Sequence, residues 1–293
     1  MISRLFSLTA LLLISLGEAA FAEDTSTRPP DPASHPPAGH SREEETARIR
    51  VQHLKRTHDR LTAEPGSLHD NCRYESEIAT SPPVRKVALT FDDGPEPGQT
   101  EFILEILQKH DVPAAFFMIG NKAKAHPALV ARVRSFPQLT IGNHSWDHPN
   151  FHDIPPAEQA GEILQNDELL SGSPAPKLFR YPYGNSSCES NALLRAHTYK
   201  IVGWHVDTCD WAFDRSGMVD DKEALSCGVL AQNRKNFVEH VVASVRAHDG
   251  GIVLLHEIHP NTLRQLEEII IRLKKEGFVF TDIRDDGFES SMR

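Results

Sequence analysis

The residues in this chain that are best suited to metal binding or catalysis are two carboxylates and two histidines. Asp92 and Asp93 are adjacent, and His144 and His148 stand four positions apart. If the segment forms a helical turn, that spacing places both imidazoles on one face, where they could bind one metal ion. Zinc in a hydrolytic site commonly takes two histidines and a carboxylate and keeps one position for water. An isolated pair of histidines at this spacing is more often found in an ordinary loop, and Asp92-Asp93-Gly94-Pro95 alone is also typical of a turn.

The adjacent carboxylates need compensation, because two such groups after a buried strand repel each other. A metal ion and an arginine are the natural compensators, so one Asp could bind metal while the other acts as a base. Arg180 at the end of another predicted strand is a suitable partner, since a guanidinium would hold Asp92 ionised at neutral pH.

The elements that must position these groups are short strands that alternate with amphipathic helices. The predicted strands are 86–91, 114–119, 139–143, 178–181, 200–206, 251–255 and 278–281. The predicted helices between them are 101–110, 127–136, 157–170, 190–196, 236–247 and 262–276. Repeated strand–helix units predict an α/β fold with a parallel sheet, and the length favours closure into a barrel of seven strands.

Ionisable residues follow five of these strands, always at the same end. They are Asp92 and Asp93, His144, Arg180 with Tyr183, Asp207 with Asp210, and His256. Active sites of α/β barrels are built from the loops at the carboxyl ends of the strands. Trp211 directly follows Asp210 and could form an aromatic wall for a sugar ring or an acetyl methyl group.

The residues before the predicted strand–helix units differ from them in composition. Residues 1–22 have the pattern of a secretory signal peptide, with Arg4, an apolar stretch and Ala20-Phe21-Ala22. Residues 23–41 are rich in proline and polar groups, which predicts a linker. We expect an N-terminal extension over 42–83, with a surface helix over 42–61, and a main domain over 84–288.

The net charge of the chain limits the kinds of partner that it can bind. The formal net charge of -10 and the absence of a basic run exclude nucleic acid as the main partner. The apolar stretch near the N-terminus is too short for a permanent membrane anchor. We therefore expect a monomeric periplasmic or secreted protein.

Five motifs together resemble the polysaccharide deacetylase family, the carbohydrate esterases of family 4 with a NodB homology domain. The motifs are, in order, Thr90–Pro95, His144–His148, Phe179–Gly184, Asp207–Trp211 and Leu254–His256. The resemblance covers roughly 84–286 and implies a distorted (β/α)7 TIM-like barrel. Two departures are Tyr181, where many members have proline, and an additional imidazole at His259.

The resemblance also implies a role for each site residue. It makes Asp93, His144 and His148 the ligands of one divalent metal ion, most commonly zinc. Asp92 would be the general base and His256 the general acid, with Arg180 positioning Asp92, Asp210 orienting His256 and the Tyr183 N–H stabilising the oxyanion. Tyr183, Asp207 and Trp211 are the expected substrate contacts. His259 could be a structural residue, a rim residue or a substrate contact.

The implied activity is hydrolysis of N-acetyl groups on the N-acetylhexosamine units of a cell-envelope polysaccharide, first of all peptidoglycan N-acetylglucosamine. The alternatives are a deacetylase of chitooligosaccharide or exopolysaccharide, and an O-acetyl esterase. A non-catalytic glycan-binding protein with the same fold is a different class, and metal buffering by the scattered histidines is a third.

Export makes disulfides possible, and four cysteines allow three complete pairings. Cys188 and Cys209 follow the fourth and fifth strands, so neighbouring loops could bring them together. Cys72 would then pair with Cys227 and join the extension to the segment after Trp211.

Overall fold

The computed structural model of the protein describes residues 42–63, 72–170 and 176–293. The predicted signal peptide (1–22) and linker (23–41) lie outside the described residues. The strands are β1 Lys86–Gly94, β2 Ala114–Met118, β3 Leu139–Asn143, β4 Lys177–Phe179, β5 Tyr199–Ile201, β6 Val206–Asp207, β7 Gly251–His256 and β8 Val279–Phe280. They form one sheet in which every strand pairing is parallel.

The sheet has the order β5-β4-β3-β2-β1-β7-β6, and β8 pairs with the beginning of β1. Its two end strands, β5 and β6, are separated in the chain only by residues 202–205. The ends of the sheet therefore approach each other, and the sheet curls into the predicted distorted barrel. The single strand predicted over 200–206 corresponds to both β5 and β6, which explains why seven strands were expected and eight are present.

Ten α-helices accompany the sheet in the described part of the chain. They are α1 Arg42–Thr62, α2 Gln99–Lys109, α3 Gly120–Ala125, α4 Pro127–Arg134, α5 Pro156–Leu169, α6 Cys188–Ala196, α7 Asp210–Ser216, α8 Asp221–Cys227, α9 Phe237–His248 and α10 Pro260–Lys275. All six helices predicted for the main domain are present. The sequence did not predict α3, α7 and α8, because they are too short to show an apolar period.

Side-chain alternation along β1 separates the core from the site. Val87, Leu89 and Phe91 belong to the large apolar cluster that includes residues of the surrounding helices, whereas Ala88 belongs to a smaller cluster on the other face of the sheet. Successive strand residues point to opposite faces. Asp92 therefore shares the face of Ala88, on the inside of the curled sheet.

The N-terminal extension is packed against the barrel. Helix α1 confirms the predicted surface helix and contacts α7 and α8. Glu77 pairs with Trp204, and Tyr74 pairs with Asn185. At the other end, packing continues beyond the expected boundary at 288, because Met292 pairs with Val202 and closes over the smaller apolar cluster.

Both predicted disulfides are wrong. The bonds join Cys72 to Cys188 and Cys209 to Cys227, with Cα–Cα distances of 5.0 and 5.7 Å. Cys72 lies beside the segment that precedes α6, where its carbonyl accepts a hydrogen bond from Ser186 Oγ. Cys209 immediately precedes α7 and Cys227 ends α8, so this bond joins two consecutive helices.

In the described ranges, we find no helix that combines the length and the apolar character needed to span a membrane.

Candidate active site

The proposed base and acid lie side by side on neighbouring strands. The register of β1 and β7 pairs Asp92 with His256, at the carboxyl end of both strands. Arg180, which follows β4, is fully buried and donates from Nη1 to Asp92 Oδ1 at 2.8 Å. Its other donors bond Thr90 Oγ1 and the carbonyls of residues 202 and 203. Asp92 is thus held by a guanidinium whose own position is fixed by four acceptors.

The three predicted metal ligands converge. Asp93 Oδ1 lies 3.4 Å from His144 Nε2 and 3.3 Å from His148 Nε2, and a ligand atom from each residue lies within 4.8 Å of the other two. Asp93 is almost completely buried, and its Oδ1 accepts no hydrogen bond from the described residues. An oxygen that is buried without a donor needs another positive partner.

The histidine pair reaches this arrangement without the helical turn that the spacing suggested. His144 to His148 form an irregular turn, in which Ser145 and His148 adopt positive φ angles of 67° and 58°. Glu162 of α5 holds the turn, because its carboxylate accepts hydrogen bonds from the N–H groups of Trp146 and Asp147 at 2.8 and 2.7 Å. Convergence depends on this long-range contact, which the local sequence does not reveal.

The orientation of His144 fits a metal ligand. Its Nδ1 lies 2.8 Å from the carbonyl oxygen of Arg180, which can only accept, so Nδ1 carries the proton. In the neutral ring, Nε2 then presents a lone pair to Asp93, which also offers only lone pairs. Metal-binding histidines typically donate their second nitrogen to a carbonyl in this way. The residues present therefore fit a divalent cation.

The ionisation states of the other two ligands agree with this assignment. Burial lowers the pKa of His148 from 6.5 to about 3, which keeps its imidazole neutral. Burial opposes ionisation of Asp93, but the three surrounding imidazoles, of which His256 is the charged one, hold the pKa of this carboxyl well below its usual value. A carboxylate and a neutral imidazole are the forms that bind metal.

Asp210 orients the proposed acid. Its Oδ1 accepts from His256 Nδ1 at 2.8 Å, and its Oδ2 accepts from the His256 N–H and from Thr262 Oγ1 at 2.8 and 2.7 Å. Burial disfavours a charged imidazole, but Asp210 outweighs it and raises the pKa of His256 to about 10. Since His256 Nδ1 bonds Asp210, Nε2 is the nitrogen left to face a substrate.

Tyr183 lies in the turn after β4, next to the metal ligands. Its backbone has φ 58° and ψ 4°, an unusual conformation for a residue with a side chain. Its ring contacts His148 edge to face, with ring centroids 4.8 Å apart. A cavity of about 390 Å³ opens here, lined on one side by Tyr183, His148 and Asn150 and on the other by α1, including Val51 and Gln52.

Two of the three expected substrate contacts are placed differently. Trp211 is fully buried and packs against His53 at a centroid distance of 4.8 Å, so the predicted aromatic wall is wrong. Tyr183 lines the cavity instead. The Asp207 side chain is 9% exposed and faces His53 Nδ1 and Arg56 Nη2 at 3.8 and 3.7 Å. Because α1 covers this carboxylate, its contact with substrate stays a prediction.

Sequence reasoning missed Glu257, directly after His256. This side chain is fully buried, accepts a hydrogen bond from Thr100 Oγ1, and has its pKa raised to about 8 by burial. It lies against Gly94, where a Cβ would stand 1.7 Å from its Oε1, so any side chain at position 94 would displace the Glu257 carboxylate. Only its position beside a predicted catalytic residue pointed to Glu257.

His259 is a buried residue close to the proposed acid. Its Nδ1 lies 3.1 Å from Asp214 Oδ2, and its ring meets that of His256 edge to face at 5.3 Å. His259 is only 2% exposed, which favours a structural role over a position at the rim of the site.

Comparisons with known proteins agree with this architecture. Residues 79–202 match the polysaccharide deacetylase family. A peptidoglycan-N-acetylglucosamine deacetylase of Bacillus cereus is 39% identical over 213 residues, 70% of this chain and 70% of the relative. The peptidoglycan-N-acetylglucosamine deacetylase PgdA of Listeria monocytogenes is 32% identical over 209 residues, 71% of this chain but 40% of the relative. The chain thus spans about 40% of the length of PgdA.

A solved structure gives the same result. The crystal structure of a peptidoglycan N-acetylglucosamine deacetylase, in complex with a substituted benzamide, has a TM-score of 0.58 at 28% identity and covers 75% of this chain and 95% of that chain.

Proposed function

This chain belongs to the polysaccharide deacetylase family, and we propose that it hydrolyses N-acetyl groups on N-acetylhexosamine units of a cell-envelope polysaccharide. The observation that carries the proposal is that a candidate metal site and a candidate acid–base pair lie next to each other. A triad of Asp93, His144 and His148 suited to one cation lies beside a paired base and acid, Asp92 and His256, on adjacent strands. Every role that amide hydrolysis requires has a residue with suitable surroundings, which favours an enzyme over a glycan-binding protein.

The cofactor we propose is one divalent cation, most simply zinc, because two imidazoles and a carboxylate form a common hydrolytic zinc site. Bound by Asp93, His144 and His148, the cation would polarise the acetamide carbonyl and acidify a water molecule. Metal binding is expected to need the neutral His148 and ionised Asp93 described above.

The remaining steps belong to side chains and backbone. Asp92, kept in place by Arg180, accepts the proton of the attacking water. The Tyr183 N–H stabilises the negative charge that develops on the carbonyl oxygen. His256, kept charged by Asp210, donates a proton from Nε2 to the leaving amine. The products are acetate and a hexosamine with a free amino group.

We propose peptidoglycan N-acetylglucosamine as the first substrate. The names of the Bacillus cereus and Listeria monocytogenes relatives support it, and the cavity beside His148 and Tyr183 can hold a part of a glycan. Chitooligosaccharide or exopolysaccharide deacetylation, and O-acetyl ester hydrolysis, are the alternatives, since loops rather than the barrel select the substrate. The predicted signal peptide supports a periplasmic or secreted location.

Acetate release tests the proposal. The purified protein, loaded with one equivalent of zinc, is incubated with peptidoglycan, chitooligosaccharides, poly-N-acetylglucosamine and an O-acetylated glycan. We expect the highest kcat/KM on peptidoglycan. A preference for another glycan would change the substrate, and no acetate from any of them would refute the enzymatic function.

A further inference from the structure

Helix α1 contributes a buried guanidinium to the active-site turn. Arg56 is 3% exposed and donates from Nη1 to the carbonyl oxygen of Tyr183 at 2.8 Å. Its Nη2 lies 3.1 Å from His53 Nδ1 and 3.7 Å from Asp207 Oδ2. A charge buried this deeply is costly unless its donors are satisfied. These partners therefore fix the guanidinium in one place.

The hydrogen bond from Arg56 reaches a backbone segment with an unfavourable conformation. Tyr183 has a positive φ, which costs a residue with a side chain on the order of 1 kcal/mol or more unless its surroundings enforce it. Three other hydrogen bonds restrain the same turn, from Gly184 N to Tyr181 O at 3.0 Å, from Asn185 N to Pro182 O at 3.1 Å and from Glu75 N to Gly184 O at 2.9 Å. Arg56 restrains the remaining carbonyl, that of Tyr183 itself. The direction of the Tyr183 N–H depends on the backbone angles that this bond fixes.

Helix α1 does not need Arg56 to stay attached. Arg50, less than two turns earlier, bonds Asp220 Oδ2 at 2.7 Å and Glu223 Oε1 at 2.9 Å and joins α1 to α8. The Cys72–Cys188 disulfide ties the rest of the extension to the start of α6. These attachments hold the helix on the barrel, whereas the bond from Arg56 reaches the active-site turn.

We infer that Arg56 is a positioning residue for the proposed deacetylation, because it holds the Tyr183 backbone so that its N–H faces the developing oxyanion. The N-terminal extension is then part of the active site, although Arg56 lies outside the residues that match the family. This inference rests on the proposed function, since it assigns the Tyr183 N–H its role there.

The inference predicts a specific kinetic effect. The oxyanion forms only as the reaction proceeds, so a misplaced donor lowers kcat and leaves KM nearly unchanged. Loss of a whole oxyanion donor costs about 10²- to 10³-fold in kcat. Without Arg56 the turn keeps its three other hydrogen bonds and the donor is only displaced, so we expect a loss of about 10- to 100-fold.

The experiment compares Arg56→Met and Arg56→Lys with a matched control, Arg50→Ala, which removes a different α1 contact. Acetate release gives kcat and KM, and urea unfolding verifies that each variant is folded. We expect kcat to fall about 10- to 100-fold in Arg56→Met and less in Arg56→Lys, which keeps a cation opposite Asp207. KM should stay within about threefold, and Arg50→Ala should keep the wild-type kcat.

Two results would overturn the inference. One is a kcat within twofold of wild type in both Arg56 variants, and the other is an equal loss of kcat in Arg50→Ala. If Arg56→Met does not fold, Arg56→Lys decides alone by the same criterion. A wild-type protein that releases no acetate would instead refute the proposed function.

Discussion

The Asp92–Arg180 pair offers a quantitative test of how the site is built. Arg180 is fully buried, and its loss in Arg180→Met would leave the Asp92 carboxylate buried at 2–3% exposure without the guanidinium that it pairs with. Removing one partner of a buried ion pair costs about 3–5 kcal/mol. The lost bonds to Thr90 Oγ1 and to two backbone carbonyls add to this cost. We therefore expect a loss of at least about 4 kcal/mol in the free energy of unfolding.

Removing the carboxylate while Arg180 stays should lower the free energy of unfolding by less. In Asp92→Asn the guanidinium keeps Thr90 Oγ1 and two carbonyls as acceptors and lies 4.2 Å from the centre of the Phe117 ring. We expect a loss of about 1–3 kcal/mol. In the double variant no carboxylate is left without its cation, so its loss should be smaller than the sum of the two single losses by about 2 kcal/mol.

Urea unfolding gives the free energy of unfolding of the wild type, the two single variants and the double variant. EDTA is present so that bound metal does not contribute to it. Additive single losses, within about 0.5 kcal/mol, would refute the reasoning, because Arg180 would then stabilise the fold independently of Asp92. A loss of less than about 1 kcal/mol in Arg180→Met would refute it as well.

Three further predictions concern metal, disulfides and pH. His148→Ala should lose the bound ion, so that metal analysis after dialysis falls from about one ion per chain to a small fraction, and retained metal would contradict the triad. Replacing Cys72 and Cys188 by alanine opens a loop of 116 residues and should cost about 5 kcal/mol of stability in urea, whereas nonreducing peptide mapping that shows another pairing would reject this bond. Burial lowers the pKa of His205 from 6.5 to about 4, so the unfolded chain binds this proton first and stability falls as the pH drops from about 6.5 to 4. His205→Gln should remove roughly 3 kcal/mol of that fall, at 1.36 kcal/mol per pH unit, and an unchanged pH dependence would contradict it.

Much of the site was predictable because its residues follow strands of a parallel sheet. Once the strands are located, their carboxyl ends must meet, and Asp92, Arg180 and His256 are brought together by topology alone. The Asp210–His256 pair follows from the same rule. These predictions depend on strand positions, which the alternation of apolar and polar runs indicates well.

The errors concern contacts that depend on how loops fold back. Cys188 and Cys209 follow the fourth and fifth predicted strands, yet Cys188 pairs with the extension and Cys209 with the end of α8. Trp211 directly follows Asp210, the residue proposed to orient His256, but it lies in the first turn of α7 with its ring in the core. Proximity in sequence to a site residue does not determine which way a loop side chain points.

The contribution of α1 could not be predicted for a related reason. Its sparse apolar residues indicated a surface helix, and α1 does lie on the surface. Nothing in its sequence shows that His53 and Arg56 point inward to Asp207 and Tyr183. Buried polar contacts between segments more than a hundred residues apart require the tertiary structure.

The most direct test of the central claim is acetate release from purified peptidoglycan by the zinc-loaded wild type and by Asp92→Asn at equal metal content. We predict that the wild type releases one acetate for each new amino group. Asp92→Asn should bind zinc normally and lose at least about 100-fold in kcat, because the proposed base is removed while the metal ligands remain. Equal acetate release by the two proteins would contradict the assignment of Asp92 as the base.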